Sequence, residues 1–184
     1  MAKINDNTKV VTNEVRFSYV HVFEPQGYTE NDKKYSVSIL IDKKDKDTIE
    51  VVKKAIENAK KAGITKLGGK IPANLKTPLR DGDTERSEDE AYANCYFLNA
   101  TCKTKPSILY RNGNTLTDST DFYSGCYGFA SINFYAFSFN GNKGIACGLN
   151  NLMKSKDGDF LGGRSRAEDD FADLIEEDDD DLGF

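Results

Sequence analysis

The chain has 184 residues, 38% of them hydrophobic, with 25 Lys and Arg against 30 Asp and Glu and a single histidine. That suffices for one domain with its own core, while no apolar run nears the about 20 residues of a membrane-spanning helix. The polar start "MAKINDNTK" is not a signal-peptide pattern, so the cytoplasm is the expected compartment. Residues 1–13 read as a flexible N-terminus, 14–154 as the folded domain and 155–184 as a flexible acidic tail.

Strong alternation begins at "EVRFSYVHVFEP". A strand there sets Val15, Phe17, Tyr19, His21 and Phe23 on one face and Arg16, Ser18, Val20 and Val22 on the other. A loop through "QGYTENDK" leads to "KYSVSILIDK", a second strand with Tyr35, Val37, Ile39 and Ile41 aligned. Phe17 and Tyr19 are expected to share a core with Val37 and Ile39. The period then becomes helical over "DKDTIEVVKKAIENAKKAG", with Asp47 as the expected cap and Glu50 three residues on. Val52, Ala55, Ile56 and Ala59 make the apolar stripe, and Gly63 ends the helix. Its lysines, at 53, 54, 60 and 61, read as a solvated face.

"KLGGKIPANLKTPLRDGDTERSEDE" is long, irregular and turn-rich, the kind of stretch that often carries function. Further strands follow, from Tyr92 to Lys103 and in "PSILYRNG", which ends in an Asn112-Gly113 turn. "SGCYGFASINFYAFSF" is a long strand joined through "NGNKG" to "IACGLNNL" as a hairpin. One face of the long strand carries Tyr127, Phe129, Tyr135, Phe137 and Phe139, the other Gly128, Ala130, Ile132, Phe134 and Ala136. Gly125 and Gly128 permit the bending that a small closed barrel needs. The expected fold is mostly β with one or two helices, an OB-fold-like small barrel elaborated by a helix and long loops. Such barrels usually place the helix after the third strand. Only two clear strands precede it here, which puts a short third one near Gly27-Tyr28.

Catalytic signatures are absent: the chain has no phosphate-binding P-loop, no G-x-S-x-G elbow and no H-E-x-x-H. His21, in mid-strand, reads as a packed or surface residue. Cys95, Cys102, Cys126 and Cys147 lack the paired short spacings of a zinc site, so free thiols and no metal or other cofactor are expected. The carboxylates Asp81, Asp83 and Glu85 could be imagined as a metal-dependent nuclease cluster, but they crowd into a turn beside Arg80 and Arg86. The recurring feature is instead basic residues interleaved with aromatics near turns: Lys33 and Lys34, Arg80 and Arg86, Lys103 and Lys105, Tyr110 and Arg111, Tyr123 and Tyr127. Unpaired nucleic-acid strands offer aromatic faces to stack on and phosphates to neutralise, and these ten residues are the candidate DNA-binding set. Phe17, Phe97, Phe134 and Phe137 are assigned to the core.

The chain finishes on "IEEDDDDLGF". Residues 167–184 hold ten acidic residues and no Lys or Arg, so residues 1–166 carry 25 basic against 20 acidic residues, a balance of +5. A mildly basic body with an acidic tail suggests a polyanion-binding body and a separate interaction segment. Glu176, Glu177, Asp178, Asp179, Asp180, Asp181 and Phe184 combine charge with an aromatic tip, the pattern a basic, aromatic-lined groove would accept when DNA is absent.

The runs "TPLRDGD", "YSGCYGFASINFYAF", "GNKGIACGLNNL" and "DGDFLGGRSRAEDDF" resemble the phage-encoded single-stranded-DNA-binding proteins formerly described as a domain of unknown function. The resemblance spans Val15 to Phe171 and is most specific in "GNKGIACGLNN". It implies an oligonucleotide-binding fold and a replication or recombination role in the bacterial host's cytoplasm. The tail is similar in layout to those of bacterial and podophage single-stranded-DNA-binding proteins, which implies recruitment of a polymerase, helicase/primase or recombinase. The "LGF" ending departs from that pattern, because Gly183 stands where a proline or acidic residue is common. The resulting expectation is a non-catalytic, sequence-tolerant protein that coats single-stranded DNA, with room for a homodimer. A DNA-mimic inhibitor of a host enzyme and the nuclease are the alternatives.

Overall fold

The structure is a computed structural model and describes residues 2–5, 7–73, 75–161, 171, 173 and 174. Among these, the strands are β1 (Lys3–Asn5), β2 (Lys9–Val11), β3 (Val15–Gln26), β4 (Lys34–Asp42), β5 (Arg80–Asp81), β6 (Cys95–Cys102), β7 (Ser107–Leu109), β8 (Tyr127–Phe139) and β9 (Asn142–Lys156). Helix α1 (Lys46–Ala62) follows β4, and α2 (Gly82–Glu85) is a single turn after β5.

Five strands close on themselves. β3 pairs with β4, β4 with β6, β9 with β8, and β8 returns to β3, all antiparallel. β6 meets β9 in parallel, through Thr101 opposite Gly148. This ring is the partly open five-stranded barrel of the OB fold. Two seams are thin: β8 to β3 at Val15–Gly128 and Arg16–Tyr127, and β6 to β9 at Thr101–Gly148. Period-2 alternation points the even residues of β8 inward, so Ala130, Ile132, Phe134 and Ala136 pack with Phe17, Val37, Ile39 and Leu98. The α1 stripe of Val52, Ala55, Ile56 and Ala59 is buried in the same core.

Several expectations change. No third ring strand lies near Gly27-Tyr28: a 3-10 turn at Glu30–Asp32 occupies that loop, and α1 leaves the second ring strand. Within the segment expected to be flexible, Lys3–Asn5 and Lys9–Val11 are paired strands. β1 and β2 form a hairpin whose β2 docks on β8, with Val10 opposite Ile132 and fully buried. The apolar Val10 has a core to join, and Thr12 accepts the Ala130 amide at 3.1 Å. At the other end β9 runs past residue 154 to Lys156, and Leu161 N–H donates to the Ser124 carbonyl at 2.8 Å. The helix cap is Asp45, not Asp47: its carboxylate accepts the Thr48 amide at 3.2 Å and the Asn13 side-chain amide at 2.9 Å. β6 starts at Cys95, because Tyr92 belongs to a 3-10 turn at Glu90–Tyr92.

The simple alternation of β3 also fails. A bulge between Ser18 and His21 holds Tyr19 at φ 46° and shifts the inward series from Phe17 to Val22. Tyr19 is therefore turned out of the core and is 52% exposed. The β8–β9 hairpin turns in two residues, Asn140 at φ 50° and Gly141 at φ 80°, the left-handed pair that matches strand twist.

Candidate functional site

The outer face of β4 and β6 sets Ser36 opposite Thr101, Ser38 opposite Asn99, and Leu40 opposite Phe97. Its lower end is covered. Tyr92 packs on Leu40 and Phe97 as a second small core and donates its hydroxyl to Ser38 at 2.8 Å. The long irregular stretch supplies this cover, with each turn capped from the side: Asp81 accepts the Asp83 amide and Asp89 the Ala91 amide. The upper end, with Asn99 and Thr101, stays open.

A strap closes the seam where β6 and β9 diverge. Lys76 lies along β9, its carbonyl accepting the Ile145 amide at 2.8 Å, and Arg80 pairs with Phe97 on β6. Between them runs a groove lined by Lys76, Arg80, Asn99, Thr101, Phe137 and Ala146. Phe137, assigned to the core from sequence, stands half-buried in this groove because odd residues of β8 face outward. On the cover the Arg86 guanidinium lies 5.7 Å from each ring of Tyr19, Tyr92 and Phe97. Tyr19 is thus a bulky residue held at positive φ, a strained placement that the Arg86 and Tyr92 contacts support.

Six of the ten candidate residues border this face or its end. Arg80 and Arg86 flank the cover. Lys34 is exposed at the start of β4, where Tyr35 pairs with Cys102 at the end of β6, and Lys103 follows directly. Lys105 places its ammonium 5.4 Å above Phe23. Lys33 is paired with Glu30 at 2.9 Å. Tyr28, in the same β3–β4 loop, is fully exposed.

The other four gather around the start of β8 and the end of β9. Tyr110 donates its hydroxyl to the Asp121 carboxylate, which raises the phenol's pKa. Tyr123 donates to Asp157 at 3.0 Å and accepts the Gly158 amide at 3.2 Å. Tyr127 sits between Arg16, at 5.3 Å, and Lys156, at 4.9 Å, while Arg111 lies 4.9 Å above Phe129. The Tyr110 and Tyr123 hydroxyls tie loops together, and the faces of Tyr123 and Tyr127 are met by the protein's own cations.

Asp81 and Asp83 both hold Lys43, at 2.8 and 2.7 Å, and Asp83 also accepts the Asn94 amide. Hydrogen bonds from Lys43 and then Asn94 hold the Asp83 carboxyl below its ordinary range. Glu85 faces Arg80 at 3.9 Å. These carboxylates act as a clasp between β4 and the cover, and no group of three or more potential metal ligands occurs among the described residues. His21 lies on β3 opposite Ser36. The four cysteines are free thiols among the described residues, and burial pushes that of Cys126 up to about 11.

The candidate set omits Lys76, Tyr19, Asn99, Thr101 and Phe137. One signal for the groove is present in the sequence: residues 58–80 hold Lys60, Lys61, Lys66, Lys70, Lys76 and Arg80 with no acidic residue, and residues 122–156 hold none either. The tail residues Glu176 to Asp181 and Phe184 lie outside the described residues.

Comparison with known proteins gives concordant matches. Residues 8–182 match the family described as Enterobacter phage Enc34, ssDNA-binding protein. The protein p50 of Acyrthosiphon pisum secondary endosymbiont phage 1 is 35% identical over 175 residues, 90% of this chain and 94% of that one. In fold, the chain is similar to the single-stranded DNA-binding protein from bacteriophage Enc34 with a C-terminal truncation, at a TM-score of 0.76 and 22% identity over 87% of this chain and 92% of that one. The same phage's protein in complex with ssDNA superposes at a TM-score of 0.72, with 24% identity over 85% of this chain and 91% of that one.

Proposed function

The chain belongs to the family of the Enterobacter phage Enc34 ssDNA-binding protein, and from that premise we propose that it is a non-catalytic protein that coats single-stranded DNA with little regard to sequence. The observation that carries the reading is the open β4–β6 face with its basic strap. OB folds bind oligonucleotides on this face and on the loops between the first two and last two strands. Here Lys76 and Arg80 border a groove containing Phe137, Asn99 and Thr101, and the β3–β4 loop and the start of β4 add Lys33 and Lys34.

Phosphates meet the lysines and arginines as a track of positive charge, and bases meet aromatic faces, which every base can do. Neither contact reads a particular base edge, so tolerance of sequence follows. The clasp of Asp81 and Asp83 on Lys43 gives those carboxylates a structural role, which weighs against a nuclease.

In this reading the protein works in the host bacterial cytoplasm during phage replication or recombination. It keeps exposed strands from re-pairing and from nucleases. Its acidic tail competes with DNA for the basic face and, once expelled, recruits a polymerase, helicase/primase or recombinase through Glu176–Asp181 and Phe184.

The test is binding of a labelled oligo-thymidine across a salt series, for the full chain and for one ending at Arg166. Affinity is expected to fall with salt at a slope of about −0.7 per phosphate contacted. The shorter chain is expected to bind more tightly at low salt, with the gap narrowing as salt rises. Equal binding by both forms would remove the competing role of the tail. No binding by either would sink the DNA-coating function and favour an acidic mimic of DNA.

A further inference from the structure

The odd face of β8 beyond the groove carries an aromatic row that neither the core nor the loop-tying tyrosines absorb. Tyr135 is 44% and Phe139 71% exposed, with Phe137 between them lining the groove. No register shift interrupts β8 from Ile132 to Phe139, so the three side chains share one outer face. Their partners on β9 are small or polar: Ala146 opposite Tyr135, Gly144 opposite Phe137, and Asn142 opposite Phe139. A Cβ on Gly144 would lie 2.8 Å from the Phe137 ring, and one on Gly148 would lie 3.4 Å from that of Tyr135. The rings of Phe137 and Tyr135 therefore lean across β9 over its glycines.

We propose that Tyr135, Phe137 and Phe139 form a stacking ladder whose spacing selects an extended, unstacked strand of DNA. Resting on the DNA-coating function argued above, this proposal adds how single strands are told from duplex. Alternate residues on an antiparallel strand stand about 6.8 Å apart. Successive bases in a duplex strand rise about 3.4 Å. A base on each rung therefore lies about twice as far from its neighbour as stacking allows. Only a strand already pulled out of the helix meets that spacing, and its bases exchange stacking on one another for stacking on rings. The occupant is single-stranded DNA and not an apolar partner, because basic residues and no acidic ones line the groove at its middle rung. Lys76 and Arg80 line the groove with the middle rung, Phe137, and residues 122–156 contain no carboxylate to repel phosphate.

The experiment uses the full chain and three variants: Y135S/F139S, the single F139S, and the conservative Y135F/F139Y. Anisotropy of a labelled oligo-thymidine is read with and without a hairpin-duplex competitor, at several salt concentrations. Circular dichroism checks the fold, and F139S, at the exposed hairpin tip, stands in if the double variant unfolds. The double variant is expected to lose roughly tenfold in single-strand affinity for each ring removed, with the salt slope unchanged because no charge is removed. Its preference for single strand over duplex should narrow, while Y135F/F139Y should retain both properties. Wild-type binding that the folded serine variants match, or an equal loss on single strand and duplex, would overturn the ladder alone. Failure of the wild-type chain to bind any oligonucleotide would overturn the ladder together with the function it rests on.

Discussion

Lys43 shows how one side chain settles the meaning of a suggestive cluster. Asp81, Asp83 and Glu85 look in sequence like metal ligands, yet Lys43 sits between the first two at 2.8 and 2.7 Å. Hydrogen bonds to Asp81 and then to Asp83 raise the Lys43 pKa, and the same interaction lowers that of Asp83. Because the Asp83 value falls on folding, its contribution is complete above about pH 4 and fades as pH drops through the folded value. Because the Lys43 value rises, its contribution holds below about pH 10 and is lost as pH climbs through the folded value. The melting temperature of wild type is therefore expected to exceed that of K43M by a constant margin between about pH 5 and 9. That margin should shrink in acid below about pH 4, and a margin independent of acid would show that the clasp contributes no charge-based stability. The clasp is not legible in the sequence, since Lys43 and Asp83 are forty residues apart. The capping pattern of α1 is legible to within two residues, and Asp45 wins over Asp47 because Asn13 adds a second hydrogen bond to it.

At the scale of elements, period and turn chemistry carry most of the information. The α1 stripe, its end at Gly63 and the β8–β9 hairpin follow from spacing and from Asn140-Gly141. Gly63 has a further role: a Cβ there would lie 2.3 Å from the Cβ of Ala136, so the end of α1 packs directly on β8. G63A is expected to destabilise the chain by about 1–3 kcal/mol through overpacking. This would appear as a lower urea midpoint at unchanged slope, and an unaltered midpoint would mean the helix end shifts freely. β3 departs from its sequence pattern where a bulge intervenes, because alternation reports a face only while pairing is regular. Phe137 departs for a related reason: it is as apolar as Phe134, and only the closure of the ring decides which parity of β8 looks inward.

For the whole molecule, the sign and place of charge matter more than net charge. An overall −5 disguises a strap over 58–80 with six basic and no acidic residues, running from α1 past β9 to β6. K76Q and R80Q are expected to weaken binding to all single strands alike and to lower the salt slope by about 0.7 for each phosphate left without its cation. A change in base preference at constant slope would contradict a sequence-tolerant track. Arg80 is legible in the sequence through the Asp81-Gly82 turn and Arg86 beside it, whereas Lys76 gains its meaning only from the fold. Its aromatic partner in the groove is Phe137, sixty-one residues later, delivered by β8.

Local order along the chain determined the mostly β class, the amphipathic helix, the hairpin turn and the division into a basic body and an acidic end. These depend on period, turn residues and charge, all of which act over a few neighbouring residues. The closed order β3–β4–β6–β9–β8, the docking of the N-terminal hairpin and the outward row of β8 were decided only by tertiary pairing. The ring's sole parallel contact, Thr101 with Gly148, joins residues far apart in the chain, so no local signal encodes it. The groove lies beside that seam, because the basic strap fills the gap where β6 and β9 part. Its cations and aromatics come from separate segments that meet only after the barrel has closed.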